Sequence, residues 1–180
     1  MQKFLILALI TFHFSLFTFH CEAQNQHQVD SLSDALKKHD AAKKQLGSKA
    51  PAMYDTTAAK ILIKLSEAYW GNNPDTAMYY ANQCLALSEQ IGYKKGIGNA
   101  YNSMGAINYD KGEFTASLEF HKKALKISEE IGDKKNIVAS YKGIGFANDL
   151  LGNYPEALKN DFAALKIEEE IGDKKGIANM

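Results

Sequence analysis

A phrase of this chain returns at a fixed interval. EEIGDKKNIVAS stands at 129–140 and EEIGDKKGIANM at 169–180, with a worn copy, SEQIGYKKGIGNA, at 88–100. Two full units follow in register, IGYKKGIGNAYNSMGAINYDKGEFTASLEFHKKALKISEE at 91–130 and IGDKKNIVASYKGIGFANDLLGNYPEALKNDFAALKIEEE at 131–170. A period in this range is the mark of a stacked array, because a unit this small cannot bury its own apolar face and must lean on a neighbour. That requirement constrains the fold more than any other property of the chain.

Each unit reads as two helices. In 91–130, Ile97, Tyr101, Met104 and Ile107 fall three or four apart and share a face. Gly112, within DKGE, breaks that helix, and Phe114, Leu118, Leu125 and Ile127 form the stripe of the next. Ser117 and Ala124 are small enough for close helix approach. Gly132 suits a left-handed helix end, since glycine has no Cβ to clash there, and Asp133 suits the cap of the following helix. The paired charges Glu129, Glu130 and Lys134, Lys135 each oppose the dipole of their own helix, which predicts pairing across the turn between them.

The units resemble the tetratricopeptide repeat. The glycine between its helices matches Gly112 and Gly152, and its aromatic matches Phe114 and Tyr154. The two small positions of its second helix match Ser117 and Ala124, then Ala157 and Ala164. In the first helix, the bulky position matches Tyr101 and Tyr141 and the close-packing glycine matches Gly105 and Gly145. The usual proline after the second helix is absent. The unit length of 40 residues is similar to the longer variety found in kinesin light chains and in many bacterial exported signalling proteins. The resemblance implies an all-α fold, a right-handed α–α superhelix built from antiparallel helix pairs.

A degenerate unit precedes the two, at 51–90, with Leu65 in place of the glycine and Asn72 in place of the turn glycine. Cys84 falls at its second small position, which predicts a buried packing residue rather than a reactive thiol. Upstream, 24–50 reads as a tail and a capping helix, DSLSDALKKHDAAKKQLG, with Asp30 or Ser31 as cap and Gly47 as stop. Its Leu32, Ala35, Leu36 and Leu46 are expected to cover the end of the array. The last residues, 171–180, read as the cut-off start of a further unit that leaves the edge around Phe162 and Leu165 partly covered.

The N-terminus, MQKFLILALITFHFSLFTFHCEAQ, places one Lys before an apolar stretch from Phe4 to Phe19 and small residues at Cys21 and Ala23. This is the pattern of a secretory signal peptide over 1–23, cut after Ala23, and it predicts a periplasmic or secreted protein. An uncleaved membrane anchor is the alternative. Phe19 and His20 are wrong for a lipoprotein signal at Cys21. After the cut only Cys84 remains, so no disulfide forms within the chain.

Composition removes several classes of function. The chain has 21 basic and 21 acidic residues, and every basic one is Lys. No basic stripe interleaved with aromatics suggests nucleic acid. Without Arg there is no bidentate clamp for phosphate or carboxylate. His13 and His20 lie in the apolar leader and His27 in the tail, while His39 and His121 read as isolated on polar helix faces. No spacing suits a metal, and the clustered glycines near 96–98 follow no strand, so packing explains them better than a nucleotide loop.

Binding remains. In the resembled family the first helices of successive units line a concave groove that takes a peptide. That resemblance places Tyr69, Trp70, Asn102, Tyr109, Asp110, Lys142, Phe146 and Asp149 on the groove. Only Lys142 and Asn102 suit the family's carboxylate clamp. The expectation is a non-enzymatic scaffold or sensor domain without metal or small-molecule cofactor, whose partner is a protein or peptide and not nucleic acid. Contact with a membrane is expected only if the leader is uncleaved or a span follows. The alternative is the N-terminal sensory region of a larger membrane signalling protein ending in a histidine kinase, nucleotide cyclase or transcriptional regulator.

Overall fold

The structure, a computed structural model, describes residues 25–47, 53–173 and 176. They form seven helices and, among the described residues, no strand. α1 covers 25–46. It is followed by α2 (Met53–Tyr69), α3 (Pro74–Gln90), α4 (Lys94–Asp110), α5 (Phe114–Ile131), α6 (Lys134–Leu150) and α7 (Tyr154–Ile171). The helices pack as antiparallel pairs, α2 with α3, α4 with α5 and α6 with α7. The leader read at 1–23 lies outside the described residues, as does most of 171–180.

The turns follow from residue chemistry. Gly132 ends α5 at φ 66°, ψ 27°. Its N–H donates to the carbonyl of Glu129, and Asp133 N–H donates to that of Ser128 at 2.9 Å, closing the last turn. The Asp133 carboxylate then accepts from Asn136 N–H at the start of α6. One Gly-Asp dipeptide thus stops one helix and starts the next.

The second helix of each pair buries a narrow line. In α3 it is Ala77, Ala81, Cys84 and Ser88; in α5, Ser117, His121, Ala124 and Ser128; in α7, Ala157, Asn160, Ala164 and Glu168. Phe114, Leu118, Leu125 and Ile127, expected to form the buried stripe of α5, are half-buried flanks instead. The small residues go inside because helices approach closely there, and the large ones seal the sides. Gly96 shows how close the approach is: a Cβ on it would collide with the Ser88 hydroxyl. Cys84 is fully buried as expected, its Sγ 3.3 Å from the carbonyl of Ala59, and burial raises its pKa.

Two expectations for α1 are corrected. The helix does not begin at Asp30 or Ser31, for residues 25–29 are already helical. Val29 is buried and Asn25 Nδ2 donates to the Ala68 carbonyl at 3.1 Å, so the added turn gains packing and a hydrogen bond from α2. The covering face also differs. Leu32 and Leu36 lie half-buried beside Val29, but Ala35 and Leu46 are exposed. His39, read as isolated on a polar face, is buried, with Nδ1 3.2 Å from Asp40 Oδ1. Lys43 pairs with Asp55 at the other end, which fixes α1 antiparallel to α2.

At the opposite end of the array, Tyr154, Leu158 and Phe162 stand four apart along α7 and are exposed. The matching Phe114 and Leu118 of α5 are half-buried, because α6 lies against α5. Leu165 is half-buried as well.

Candidate functional site

Among the described residues the first helices touch one another, α2 against α4 and α4 against α6, whereas α3, α5 and α7 do not. An array whose first helices are close and whose second helices are apart is bent, with the first helices on the inner side. That inner side carries a groove of about 480 Å³, within the usual range for ligand sites of roughly 300–1,000 Å³.

Six of the eight expected residues line it: Trp70, Asn102, Tyr109, Asp110, Lys142 and Phe146. The other two do not. Tyr69 turns away and stacks on Tyr80, with centroids 5.6 Å apart and planes at 16°. Asp149 is exposed one turn beyond Phe146, close enough to Asp161 for the two carboxylates to repel. Tyr69 adjoins Trp70 in sequence and so points away from it, toward α3. Asp149, three beyond Phe146, lies near the same face but on its α7 side, beside Asp161. The rings that do face the groove come from three consecutive pairs. Phe146 is 52% exposed and Trp70 36%. Tyr109 is half-buried between Phe146, at 6.3 Å, and Phe114, at 5.6 Å.

Amides bind the floor together. Asn136 Nδ2 donates to Asn99 Oδ1 at 2.6 Å and to Asp133 Oδ2 at 3.1 Å, joining α6 to α4. The Ser140 hydroxyl lies 2.9 Å from Asn102 Oδ1 and 2.8 Å from the Asn136 carbonyl. Ser66 and Ser103 hydroxyls meet at 2.8 Å and tie α2 to α4.

His121 corrects the reading of an isolated surface residue. It reaches through from α5 to the groove floor and is 5% exposed. Asn102 Oδ1 accepts from Ser140, so His121 Nδ1, 3.0 Å from the same oxygen, carries a proton and donates. The ring fills the space left by two glycines. A Cβ on Gly105 would lie 2.6 Å from Nε2, and one on Gly143 would collide outright. Burial lowers its pKa to about 4, so the ring is neutral at pH 7. Its hydrogen bond is to an amide and not to a nucleophile, which makes it a packing residue. Its signal was present: it sits four after Ser117 and three before Ala124, on the line of small buried positions.

Lys142 is also engaged. Its Nζ is 2.8 Å from Glu168 Oε1 and 3.3 Å from the carbonyl of Gly176. Glu168 is 2% exposed, at the position where α3 and α5 carry Ser88 and Ser128. Lys142 is held by a carboxylate, and the Asn102 amide that a ligand carboxylate would need, Nδ2, donates to the Asn136 carbonyl at 3.4 Å, so both clamp donors already have partners. Glu67, at the rim, was not anticipated. Its surface is open, yet the adjacent wall displaces enough water from its carboxyl to raise the pKa against the opposing pull of Lys64. Among the described residues, no group of three His, Cys, Asp or Glu side chains converges on a metal position, and no helix is long and apolar enough to cross a membrane.

The family model for the tetratricopeptide repeat matches residues 96–170, the span from the first turn of α4 through nearly all of α7. No curated protein matches the chain.

Proposed function

We propose that the tetratricopeptide-repeat domain over residues 96–170 is a non-enzymatic interaction module whose inner groove receives a peptide or protein partner. One observation carries this reading. Trp70, from the turn that follows α2, and Tyr109 and Phe146, from α4 and α6, line a groove whose floor is already hydrogen-bonded internally, with Trp70 and Phe146 exposed and Tyr109 half-buried. Rings offer area to a partner at small conformational cost, and a satisfied floor does not collapse onto them. The unit boundaries at 91–130 and 131–170 fit the 40-residue variety of the repeat.

Binding of the purified protein to a peptide array tests the groove. The double replacement Tyr109→Ala and Phe146→Ala is expected to abolish the captured interactions. Interactions that survive it unchanged would place the partner surface elsewhere. Export is a separate part of the proposal, supported by the apolar stretch Phe4–Phe19 and the small residues at Cys21 and Ala23. N-terminal sequencing of the protein recovered from its host is expected to begin at Gln24; a retained Met1 would contradict the cut.

A further inference from the structure

The charged groups along the groove are not equivalent. Lys142 is neutralised by Glu168 at 2.8 Å. Lys111, next to Asp110 in sequence, is held by Asp75 at 2.6 Å. Glu67 and Asp110 also line the groove, and among the described residues neither is in an ion pair. Lys64, one turn before Glu67, is the cation that most influences it, and desolvation outweighs that influence. Lys142, the cation in the groove lining, is therefore matched, and two carboxylates of that lining are not in ion pairs among the described residues.

Those carboxylates share the groove with Trp70, Tyr109 and Phe146. Ring faces carry negative potential and attract cations, most strongly where water is partly excluded. A ligand anion would meet two carboxylates and a lysine already bound. A ligand cation would meet ring faces and carboxylates together. Resting on the reading of this groove as a peptide site, we propose that its partner is an extended peptide presenting a lysine or arginine side chain, seated among Trp70, Tyr109 and Phe146 and held by Glu67 and Asp110. The neutral His121 beneath adds no opposing charge at pH 7.

Trp70 is the only tryptophan of the chain, so its emission reports occupancy of the groove directly. The protein is titrated at low salt with three decapeptides that differ only in carrying Lys, Gln or Glu at the same four alternating positions. The Lys peptide is expected to bind about tenfold more tightly than the Gln peptide, the Glu peptide more weakly than either, and the preference to shrink as salt is added. Replacing Glu67→Gln and Asp110→Asn together is expected to remove the preference, so that the Lys and Gln peptides bind the variant with equal affinity. These positions are exposed, and circular dichroism verifies that the variant is folded. Equal binding of the Lys and Gln peptides, or tighter binding of the Glu peptide, would overturn the inference while leaving the groove as a peptide site. If none of the three shifts Trp70 emission or competes with an array-captured peptide, the inference and the groove reading both fail.

Discussion

The ring of His121 stands where side chains on Gly105 and Gly143 would need to be, so three positions on three helices are coupled through volume. Enlarging either glycine to alanine forces the ring to move, and overpacking of this kind costs about 1–3 kcal/mol. Chemical denaturation of Gly143→Ala is expected to show a loss of that size, and the loss is expected to shrink in a His121→Ala background, where the clash is gone. An equal loss in both backgrounds would mean the ring is not what the glycine accommodates. The same residue sets a pH dependence. Its pKa is about 4 folded and about 6.5 unfolded, so the unfolded chain binds the extra proton in between. Stability therefore falls as pH drops from 6.5 toward 4, by an amount on the order of 3 kcal/mol. Glu67 and Asp161, whose pKa values are raised, act in the opposite sense. The comparison that isolates the histidine is with His121→Gln, which is expected to show a flatter profile from pH 6.5 to 4. His121 was readable as buried from its place between Ser117 and Ala124, but its polarity outweighed its periodicity.

Helix ends were largely legible from Gly132 and Asp133, because a left-handed end and a side-chain cap are local chemistry. Removing the cap with Asp133→Ala is expected to cost about 1 kcal/mol, measured by denaturation. Charge pairing was not legible in the same way. Glu130 does not reach across the turn to Lys134; it pairs with Lys94, and Glu170 pairs with Lys134, at 2.9 and 3.1 Å. The antiparallel pair places the first turn of α4 beside the last turn of α5. Each charge that opposes its own helix dipole thereby faces the favourable end of its neighbour's. The Lys94 hydrogen bond lowers the Glu130 pKa accordingly. Reversing the pair tests the assignment: Lys94→Glu is expected to lower the melting temperature, and adding Glu130→Lys to restore part of it. Restoration by Glu89→Lys instead would favour pairing across the turn. The start of α1 was missed for a related reason, since nothing in residues 25–30 breaks a helix and only packing on α2 determines how far it extends.

At the scale of the molecule, the repeat dictated stacking, and stacking with close first helices produces an inner face. The family resemblance put Trp70, Asn102, Tyr109, Asp110, Lys142 and Phe146 on the inner face, and all six line the groove there, because the repeat carries a position in one unit onto the same face of the next. What register could not supply was which polar groups remain available. Lys142 looks free in sequence and is bound by Glu168, a residue 26 positions away on another helix. Glu67 faces the groove although its unit is the most degenerate of the three. On the proposed function, partners enter this inner groove and not the outer surface formed by α3, α5 and α7. Amide hydrogen exchange of the protein with and without an array-selected peptide tests it most directly. Added protection is expected along 99–110 of α4 and 136–146 of α6, the stretches that line the groove. Protection confined to α5 and α7, with α4 and α6 unchanged, would place the partner on the outer surface and rule the groove out.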